Sequence, residues 1–512
     1  MSVLTATLVG AAVQMFDGEG KYIMSDFEDP TIAEQRAIQR AKENAQDKAG
    51  VYLTSFSKSE NALLTVDEIS AVTNNIIEVS DVDVQAEPFE VKGETGIIYT
   101  VRLKAKIDTD GINTYLKRDD EDKVTILQQN DALRDAVAKN DKQVEDLKEQ
   151  YKRATSQAER DRIRKQLNAA DHDFLAYQKN EEGNKLAYAE DYDGAIKLYT
   201  EALKLNPNYA VAYSNRGLTY ADLKQYDKAL ADYNKALELN PNLPMTYINR
   251  GLTYVALKQY DAALADCNKA IELNPNSDFA YTTRGMVYRH LKQYDAALSD
   301  YNKAIELNPH YSAAYNNRGR VYRDLRQYDR SIADYDKAVE LNPKYFPYYV
   351  NRGVAYRYWR KYELAIQDFT RAVALNSDYA EAYYQRGLCY RYLKQYEQAI
   401  PDFTKAIDFN TNDSFAYNNR GCAYFNLGQH EQAIADLTKA VTLNPKIAEA
   451  YITRGRARLA LKQYSAALDD FSKYIQLVPK DSDGYKLRGY CYQQLGDRAK
   501  AQADFDKAKQ LG

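Results

Sequence analysis

The sequence is poor in several residue types on which particular kinds of function depend. Only four of the 512 residues are cysteine, which excludes a disulfide-stapled scaffold, and the four histidines show no metal-binding spacing. Acidic residues (73) nearly balance basic ones (69), so the net charge of −4 lacks the basic excess of a nucleic-acid-binding protein. No apolar run approaches the length of about 18 residues that a membrane-spanning helix needs. Phosphate-binding loops and nucleophile motifs are also absent, so we expect no enzyme, no metal and no cofactor.

Tyrosine, by contrast, is abundant, with 46 residues against 14 Phe and one Trp, and this excess indicates a repeat. Ten glycines follow one another at intervals of 34 residues, from Gly183 to Gly489. In the second repeat, apolar or small residues recur at helical spacing, at Tyr213, Gly217 and Tyr220 and again at Ala229, Tyr233 and Ala236. Each repeat is therefore predicted to be two amphipathic helices joined by a short turn near 224–226.

This pattern resembles the tetratricopeptide repeat, whose 34-residue period carries small or aromatic residues at fixed positions. Those positions fall here on Tyr213, Gly217, Tyr220, Ala229 and Ala236. The resemblance covers residues 176–512 and implies a right-handed superhelix with an inner face made mainly by the first helices. The expected fold class is mostly α: a right-handed tetratricopeptide α-solenoid of ten repeats, preceded by a small α+β domain and a long helical segment.

Two charged positions recur together in nine of the ten repeats. Arg precedes the glycine, as at Arg216, and Asp occupies a fixed place in the second helix, as at Asp232. The first repeat has Glu182 and Leu198 at these places. Since residues that appear and disappear together are expected to touch, we predict an Arg–Asp pair that braces each hairpin rather than nine cation sites.

The inner face is where binding is expected. The resemblance assigns positions two, five, six, nine, twelve and thirteen to it. Position six is mostly Asn, whose carboxamide both donates to and accepts from a peptide backbone. This row looks like the asparagine ladder with which tetratricopeptide superhelices hold an extended chain. The alternative is that these residues only cap or solvate the helix start. The candidate residues are Asn215, Asn249, Asn317, Asn351 and Asn419.

Position twelve carries arginine in four consecutive repeats. A row of like charges brings no obvious packing gain, and Arg pairs in a forked geometry with carboxylates, so the row indicates an acidic protein or peptide partner. The alternative is that these arginines are solvated or pair with acids such as Asp324. The candidates are Arg289, Arg323, Arg357 and Arg391, with Arg320, His290, Tyr358 and Tyr392 at neighbouring inner positions.

Residues 17–113 have a different character. Alanines every four residues from Ala33 to Ala49 predict a helix with a smooth packing face, ended by Gly50. Strands are expected at 51–55, 76–84 and 97–107, with a short helix near 67–73, which together make a small α+β domain. The segments GEGKYIMSDFEDP, AGVYLTSFS and IIYTVRLKAKIDT resemble an envelope-associated domain of exported bacterial repeat proteins. That resemblance implies export and a docking or assembly role.

Residues 1–16 are interpreted as a remnant of a secretory signal, because 3–13 are apolar and end in small residues, although the basic n-region is missing. The alternative is a first strand. No cysteine lies in this region, so no lipid anchor is expected. We therefore expect an exported, periplasmic or cell-envelope protein, with a cytoplasmic one as the alternative.

Residues 118–175 are highly charged and predicted to be helical. A heptad seam runs over 126–158, and Asn130 and Asn140 at its core positions would favour a defined register in a homodimeric coiled coil. The alternative is an intramolecular hairpin, because the phase of the pattern breaks after Ala158.

Together these features predict a non-enzymatic scaffold that binds an extended, acidic partner segment along the inner face. One alternative is a self-associating component of a bacterial envelope. Another is a glycan-binding module that uses Tyr358, Tyr392 and Trp359.

Overall fold

The computed structural model describes residues 14–25, 28–59, 78–91, 94–107 and 120–512. The described chain is mostly helical, which confirms the expected fold class. It divides into two compact units, Met1–Val321 and Tyr322–Gly512.

Three strands and three helices precede the regular repeats. They are β1 (Gln14–Met24), α1 (Pro30–Ser59), β2 (Glu78–Val91), β3 (Glu94–Ile107), α2 (Asp120–Arg153) and α3 (Gln157–Tyr188). The repeat helices that follow are α4 (Tyr192–Leu205), α5 (Ala210–Asp222), α6 (Tyr226–Leu239), α7 (Pro244–Ala256), α8 (Tyr260–Leu273), α9 (Asp278–His290), α10 (Tyr294–Leu307), α11 (Ser312–Asp324), α12 (Tyr328–Leu341), α13 (Phe346–Tyr358), α14 (Tyr362–Leu375), α15 (Ala380–Tyr392), α16 (Tyr396–Phe409), α17 (Ser414–Asn426), α18 (His430–Leu443), α19 (Ala448–Ala460), α20 (Tyr464–Leu477), α21 (Ser482–Gln494) and α22 (Arg498–Leu511).

The strands form an antiparallel sheet in the order β1-β3-β2, with Gln14 opposite Ile107, and α1 covers one face. The alanine face of α1 is fully buried, as predicted, at Ala37, Ala41, Ala45 and Ala49. The helix lies so close to β1 that a Cβ added to Gly18 would stand 2.2 Å from the carbonyl oxygen of Ala41. Small residues on both elements therefore set this close packing.

Two predictions for this region are wrong. α1 does not end at Gly50 but continues to Ser59, so residues 51–55 are helical and not a strand. A glycine inside a helix costs only about 1 kcal/mol, which is too little to stop a helix that five buried alanines already hold against the sheet. The strand expected at 97–107 is confirmed within β3, and β2 overlaps the one expected at 76–84. Residues 3–13 and the short helix near 67–73 lie outside the described residues.

Helices α2 and α3 pack against each other as an intramolecular hairpin, the second of the two alternatives for residues 118–175. The α2 seam residues Val144 and Leu147 pack against Ile163 and Leu167 of α3. Asn140 donates a hydrogen bond to the carbonyl oxygen of Ala170 at 2.8 Å. Apart from Ala158, which is exposed, the described side chains of the seam expected to form a homodimer through 126–158 are thus buried or partly buried within the chain.

A buried arginine joins the α+β domain to this hairpin. Arg36 of α1 is 1% exposed and donates hydrogen bonds to Asp141, Asn140 and Asp171. Its guanidinium also lies 4.3 Å from the ring centroid of Phe174 on α3. Burial raises the pKa of Asp171, and the positive charge of Arg36 opposes that rise. The expected boundaries at 16/17 and 175/176 fall within β1 and α3.

Each regular repeat is a pair of antiparallel helices whose connecting turn includes a residue in the left-handed region. In the second repeat this residue is Lys224, with φ of 58°, and the following amide of Gln225 donates to the carbonyl oxygen of Tyr220 at 2.8 Å. Lys or Arg occupies the equivalent place in most repeats, whereas Gly428 and Gly496 occupy it in two. Such a residue ends the first helix and turns the chain into the second.

The predicted Arg–Asp pairs are confirmed in the eight repeats whose two members lie within one compact unit. Arg216 donates Nε and Nη2 to the two carboxylate oxygens of Asp232, at 2.7 and 2.8 Å. A further bond was not predicted: Nη1 of Arg216 donates to Thr200 in the second helix of the preceding repeat, at 3.0 Å. Arg250 makes the same bond to Asn234. The arginine therefore braces its own hairpin and also ties it to the previous one.

Candidate functional site

The position-six carboxamides are more buried than an open ladder would require. Asn215, Asn249, Asn317 and Asn419 are between 5% and 6% exposed, and Asn351 is partly buried. Asn215 is fully engaged within the chain, because its Nδ2 donates to Asn180 and Asn184 and its Oδ1 accepts from Gln129, each at 3.1 Å. It is therefore occupied by intramolecular partners in this structure.

Gln129 belongs to α2, which lies outside the repeats, so part of α2 faces the first helices of the second and third repeats. Asn249, one repeat further on, lines the same region, but its side chain has no hydrogen-bond partner among the described residues. Of these two equivalent carboxamides, Asn215 is therefore hydrogen-bonded within the chain, whereas Asn249 has no such bond among the described residues.

Three basic side chains lie close together in the first compact unit. Arg289 and Arg320 both lower the pKa of His290, in addition to the larger lowering that burial causes. The His290 ring stacks on Tyr260, with centroids 5.6 Å apart. Arg320 also donates to Oδ1 of Asn317 at 3.5 Å. These contacts place Arg289 and Arg320 beside His290, whose lowered pKa favours the neutral imidazole.

The other arginines of position twelve lie in the second compact unit and differ in their partners. Arg323 forms an ion pair with Asp324 at 3.2 Å. This is the pairing expected if the arginines of position twelve bind acids within the chain and not a partner. Arg391 of α15 pairs with Glu449 of α19 and also donates to Oδ1 of Asn419 on α17. Arg391 thus spans the first helices of three consecutive repeats.

Arg357 of α13 has no ion-pair partner among the described residues, and its buried Nε makes no hydrogen bond there. Its guanidinium lies 4.5 Å from the ring centroid of Tyr358. Arg357 and Arg391 both act on Tyr384, whose pKa burial and nearby acids raise to about 12 while the two arginines oppose the rise. The Tyr384 hydroxyl accepts a hydrogen bond from Asn419 at 3.1 Å, so these groups form one polar cluster.

Large aromatic side chains are exposed beside this cluster. Tyr358 and Tyr392 are 55% and 54% exposed, and Tyr392 stacks on Tyr362 with centroids 5.1 Å apart. Trp359 is less open, because it stacks on Tyr328 and lies under the ammonium group of Lys361. One face of each ring is therefore already covered.

Three residues that matter here were missed by the sequence reasoning. Glu449 and Phe415 stand at position two of their repeats, an inner-face position, so the period itself could have found them. Phe415 is 53% exposed, which is unusual for so large an apolar side chain. Gln129 carried no such signal, because it lies outside the repeats.

Within the described ranges, the cysteines are buried and the potential metal-binding side chains do not cluster. No cluster of three or more potential metal-binding side chains occurs there. All four cysteines are buried, and burial raises the pKa of Cys267, Cys389 and Cys422 to about 12. Among the helices of the described part, none is long and apolar enough to cross a membrane.

Known proteins share these repeats. The tetratricopeptide repeat family model matches residues 210–243, 244–277, 279–311, 312–345, 347–379, 380–413 and 414–447. Two further models of the repeat match residues 183–224 and 483–511, so the matches cover more than half of the chain. Hsp70-Hsp90 organizing protein 1 of Glycine max is 49% identical over 49 residues, which are 10% of this chain and only 9% of that protein.

Solved structures to which this chain is similar include MamA, at 29% identity, TM-score 0.28 and coverage of 32% of this chain and 95% of that one. A tetratricopeptide repeat protein from Parabacteroides merdae is 22% identical, with TM-score 0.36 and coverage of 48% and 98%. YrrB, described as having an unusual peptide-binding site, is 26% identical, with TM-score 0.28 and coverage of 36% and 95%. With its helical hairpins, 34-residue period and family matches, this chain belongs to the tetratricopeptide repeat family.

Proposed function

We propose that this protein is a scaffold whose inner face binds an extended, acidic segment of a partner protein. The tetratricopeptide repeats support the coarser part of this statement, a scaffold for protein–protein interaction. The finer part, the acidic character of the partner, is carried by one observation: Arg391 already binds a carboxylate on this face, that of Glu449.

The contacts of Glu449 illustrate how a foreign carboxylate would be held. One carboxylate oxygen meets Nη2 of Arg391, and the other accepts from Nδ2 of Asn418 at 2.9 Å. A guanidinium and a carboxamide therefore share one carboxylate between them, which is a strong, charge-assisted arrangement. An Asp or Glu side chain of a peptide presents the same group and could take the place of Glu449.

Arg357 supplies a second, open position one repeat earlier. Its buried Nε has no acceptor among the described residues, and leaving such a donor unpaired costs about 1 to 3 kcal/mol. A carboxylate that reaches Arg357 would remove this penalty and gain an ion pair. The open Arg357 and the internally occupied Arg391 together favour a ligand with more than one acidic group.

Fluorescent peptides of equal length, with an increasing number of Asp and Glu residues in a Gly/Ser background, test this proposal on the full chain. We expect affinity to rise with each acid. A double variant, Arg357→Gln with Arg391→Gln, should lose at least about tenfold, since charged hydrogen bonds contribute about 1.5 to 3 kcal/mol each. The matched control is Arg371→Gln, because Arg371 is an exposed arginine on the second helix α14.

Salt separates this proposal from glycan binding to Tyr358 and Tyr392. Ion pairs at a partly exposed site weaken as salt rises from about 50 mM to about 500 mM, whereas ring stacking on a neutral sugar does not. Affinity that is independent of acid content and of salt would contradict the acidic-peptide proposal.

A bacterial envelope location is a separate proposal, supported only by the resemblance of residues 17–113. Fractionation of cells that express a tagged chain tests it, and recovery in the cytoplasm alone would contradict it. A self-associating structural role predicts polymers that grow with concentration in light scattering.

A further inference from the structure

A cavity of about 190 Å³ lies between α2 and the first helices of the second and third repeats, entirely within the first compact unit. Its walls are mainly apolar and include Ala132 from α2, Val211 from α5, Leu243 from the preceding loop and Met245 from α7. Because α2 supplies one wall, this cavity cannot be formed by the repeats alone.

None of the described residues that line the cavity is charged, so an ion is an unsuitable ligand. Its size is well above the roughly 30 Å³ that one water molecule occupies in the liquid, and an engineered cavity of about 150 Å³ is known to hold benzene. A space of 190 Å³ with aliphatic walls therefore suits a single apolar side chain of about the size of leucine.

Two carboxamides at the cavity differ in what they can offer a ligand. Asn215 has both its donors and its acceptor engaged, with Asn180, Asn184 and Gln129. Asn249 is only 6% exposed and has no side-chain hydrogen bond among the described residues. The amide of Asn249 is not among the fully buried, unpaired groups of the described residues, so it stays accessible to a ligand in the cavity, and a peptide group can both donate to it and accept from it.

We propose that this cavity binds one leucine-sized apolar side chain of an extended peptide, while Asn249 hydrogen-bonds the adjoining peptide group. α2 closes over that side chain through Ala132, and Gln129 holds α2 in place by its bond to Asn215. The arginine cluster of the proposed function lies in the other compact unit, so this inference does not depend on it. A ligand that needs α2 as a wall also stabilises the docked position of α2.

The probe is N-acetyl-leucine-N-methylamide, which combines the side chain with two peptide groups, and N-acetyl-serine-N-methylamide is the control ligand. The reporter is the methyl signal of Met245 in the full chain with labelled methionine methyl groups; the chain has only five methionines. We expect the leucine probe to shift the Met245 signal with a Kd of millimolar order, as suits so small a ligand. The signal of Met286, which does not line the cavity, should stay unchanged.

Two substitutions on α2 separate cavity binding from general effects. Ala132→Leu fills the cavity and should weaken the probe at least tenfold, whereas Ala138→Leu adds the same side chain at an exposed position and should have no effect. Asn249→Ala keeps the cavity open and should weaken the probe a few fold. If Ala132→Leu disturbs the fold, the affinity of the Asn249→Ala variant for the leucine probe tests the proposal in its place.

The proposal is overturned if the serine probe shifts Met245 as strongly as the leucine probe. It is equally overturned if a folded Ala132→Leu variant or the Asn249→Ala variant binds the leucine probe unchanged. Arg357→Gln with Arg391→Gln should leave this probe unaffected, so a failure here and a failure of acidic-peptide binding are distinguishable.

Discussion

The repeated glycine has a steric cause that two neighbouring repeats can test. A Cβ added at Gly217 would stand 2.9 Å from Cε1 of the fully buried Tyr233, with the carbonyl oxygen of Ala229 at 3.2 Å. At Gly251 the residue opposite is Cys267, and the nearest atom would be its Sγ at 3.5 Å, an ordinary contact. We predict that Gly217→Ala destabilises its hairpin and that Gly251→Ala stabilises its own.

The magnitudes follow from two opposing effects. Alanine is favoured over glycine inside a helix by up to about 1 kcal/mol. Overpacking a core that relaxes little costs about 1 to 3 kcal/mol, and the Tyr233 ring opposite Gly217 is fully buried. Gly251→Ala should therefore gain up to about 1 kcal/mol, and Gly217→Ala should lose about 1 kcal/mol. The difference of about 2 kcal/mol corresponds to roughly thirtyfold in the local opening constant.

Hydrogen exchange of the amides in α5 and α7 measures that opening in each hairpin, and it needs no two-state unfolding of a long repeat chain. A further variant, Cys267→Tyr, restores the aromatic residue of the second repeat, and in this background Gly251→Ala should become destabilising. Equal protection in Gly217→Ala and Gly251→Ala would refute the steric explanation.

Three further predictions concern the parts of the fold that support the inner face. Arg36→Ala leaves Asp141 and Asp171 without their buried cation and should destabilise the contact between α1 and the α2–α3 hairpin by about 3 kcal/mol, seen as loss of exchange protection in α1. Gly428→Ala should lower the free energy of unfolding of α17 and α18 by about 1 kcal/mol, because φ at this position is +74°. An added Cβ would meet no other atom, so the cost is conformational and not steric. Thermal melting that the substitution leaves unchanged would contradict this cause. Iodoacetamide at pH 8 should modify the cysteines of the folded chain about a thousandfold more slowly than those of the unfolded chain, because the thiolate is the reactive form. Burial raises the pKa of Cys491 to about 11 and the pKa of the other three cysteines to about 12, so few thiolates are present in the folded chain.

The periodic part of this fold could be predicted because each repeat carries similar residue types at the same packing positions. The interval of 34 residues located the helix pairs and their turns, and the joint absence of Arg and Asp from the first repeat identified a contact such as Arg216 with Asp232. The second bond of that arginine, to Thr200, was missed because Thr, Asn, Asp and Ser all serve there and no single residue type recurs.

Contacts that occur only once left no pattern to find. Arg36 reaches across 105 residues to Asp141, and nothing in the heptad pattern of α2 distinguishes this partner from a second copy of the chain. Asn140 was placed correctly at a core position, yet its partner is Ala170 of the same chain. Amphipathic patterning shows which face of a helix is buried, but it does not show against what.

The inner face contains both residues that recur from repeat to repeat and contacts that occur only once. The row of arginines could be listed from the sequence, but their different states depend on neighbours such as Asp324 and Glu449, which occur at only some repeats. Glu449 lies 58 residues from Arg391, so only stacking of successive first helices brings them together.

Replacement of that internal carboxylate tests the account most directly. Glu449→Gln keeps the shape of the side chain but removes the charge that competes for Arg391. The affinity of the best acidic peptide, measured by fluorescence anisotropy on the full chain, should rise about tenfold, consistent with the release of one charge-assisted bond. An affinity that falls or stays the same would contradict the claim that this face recognises carboxylates.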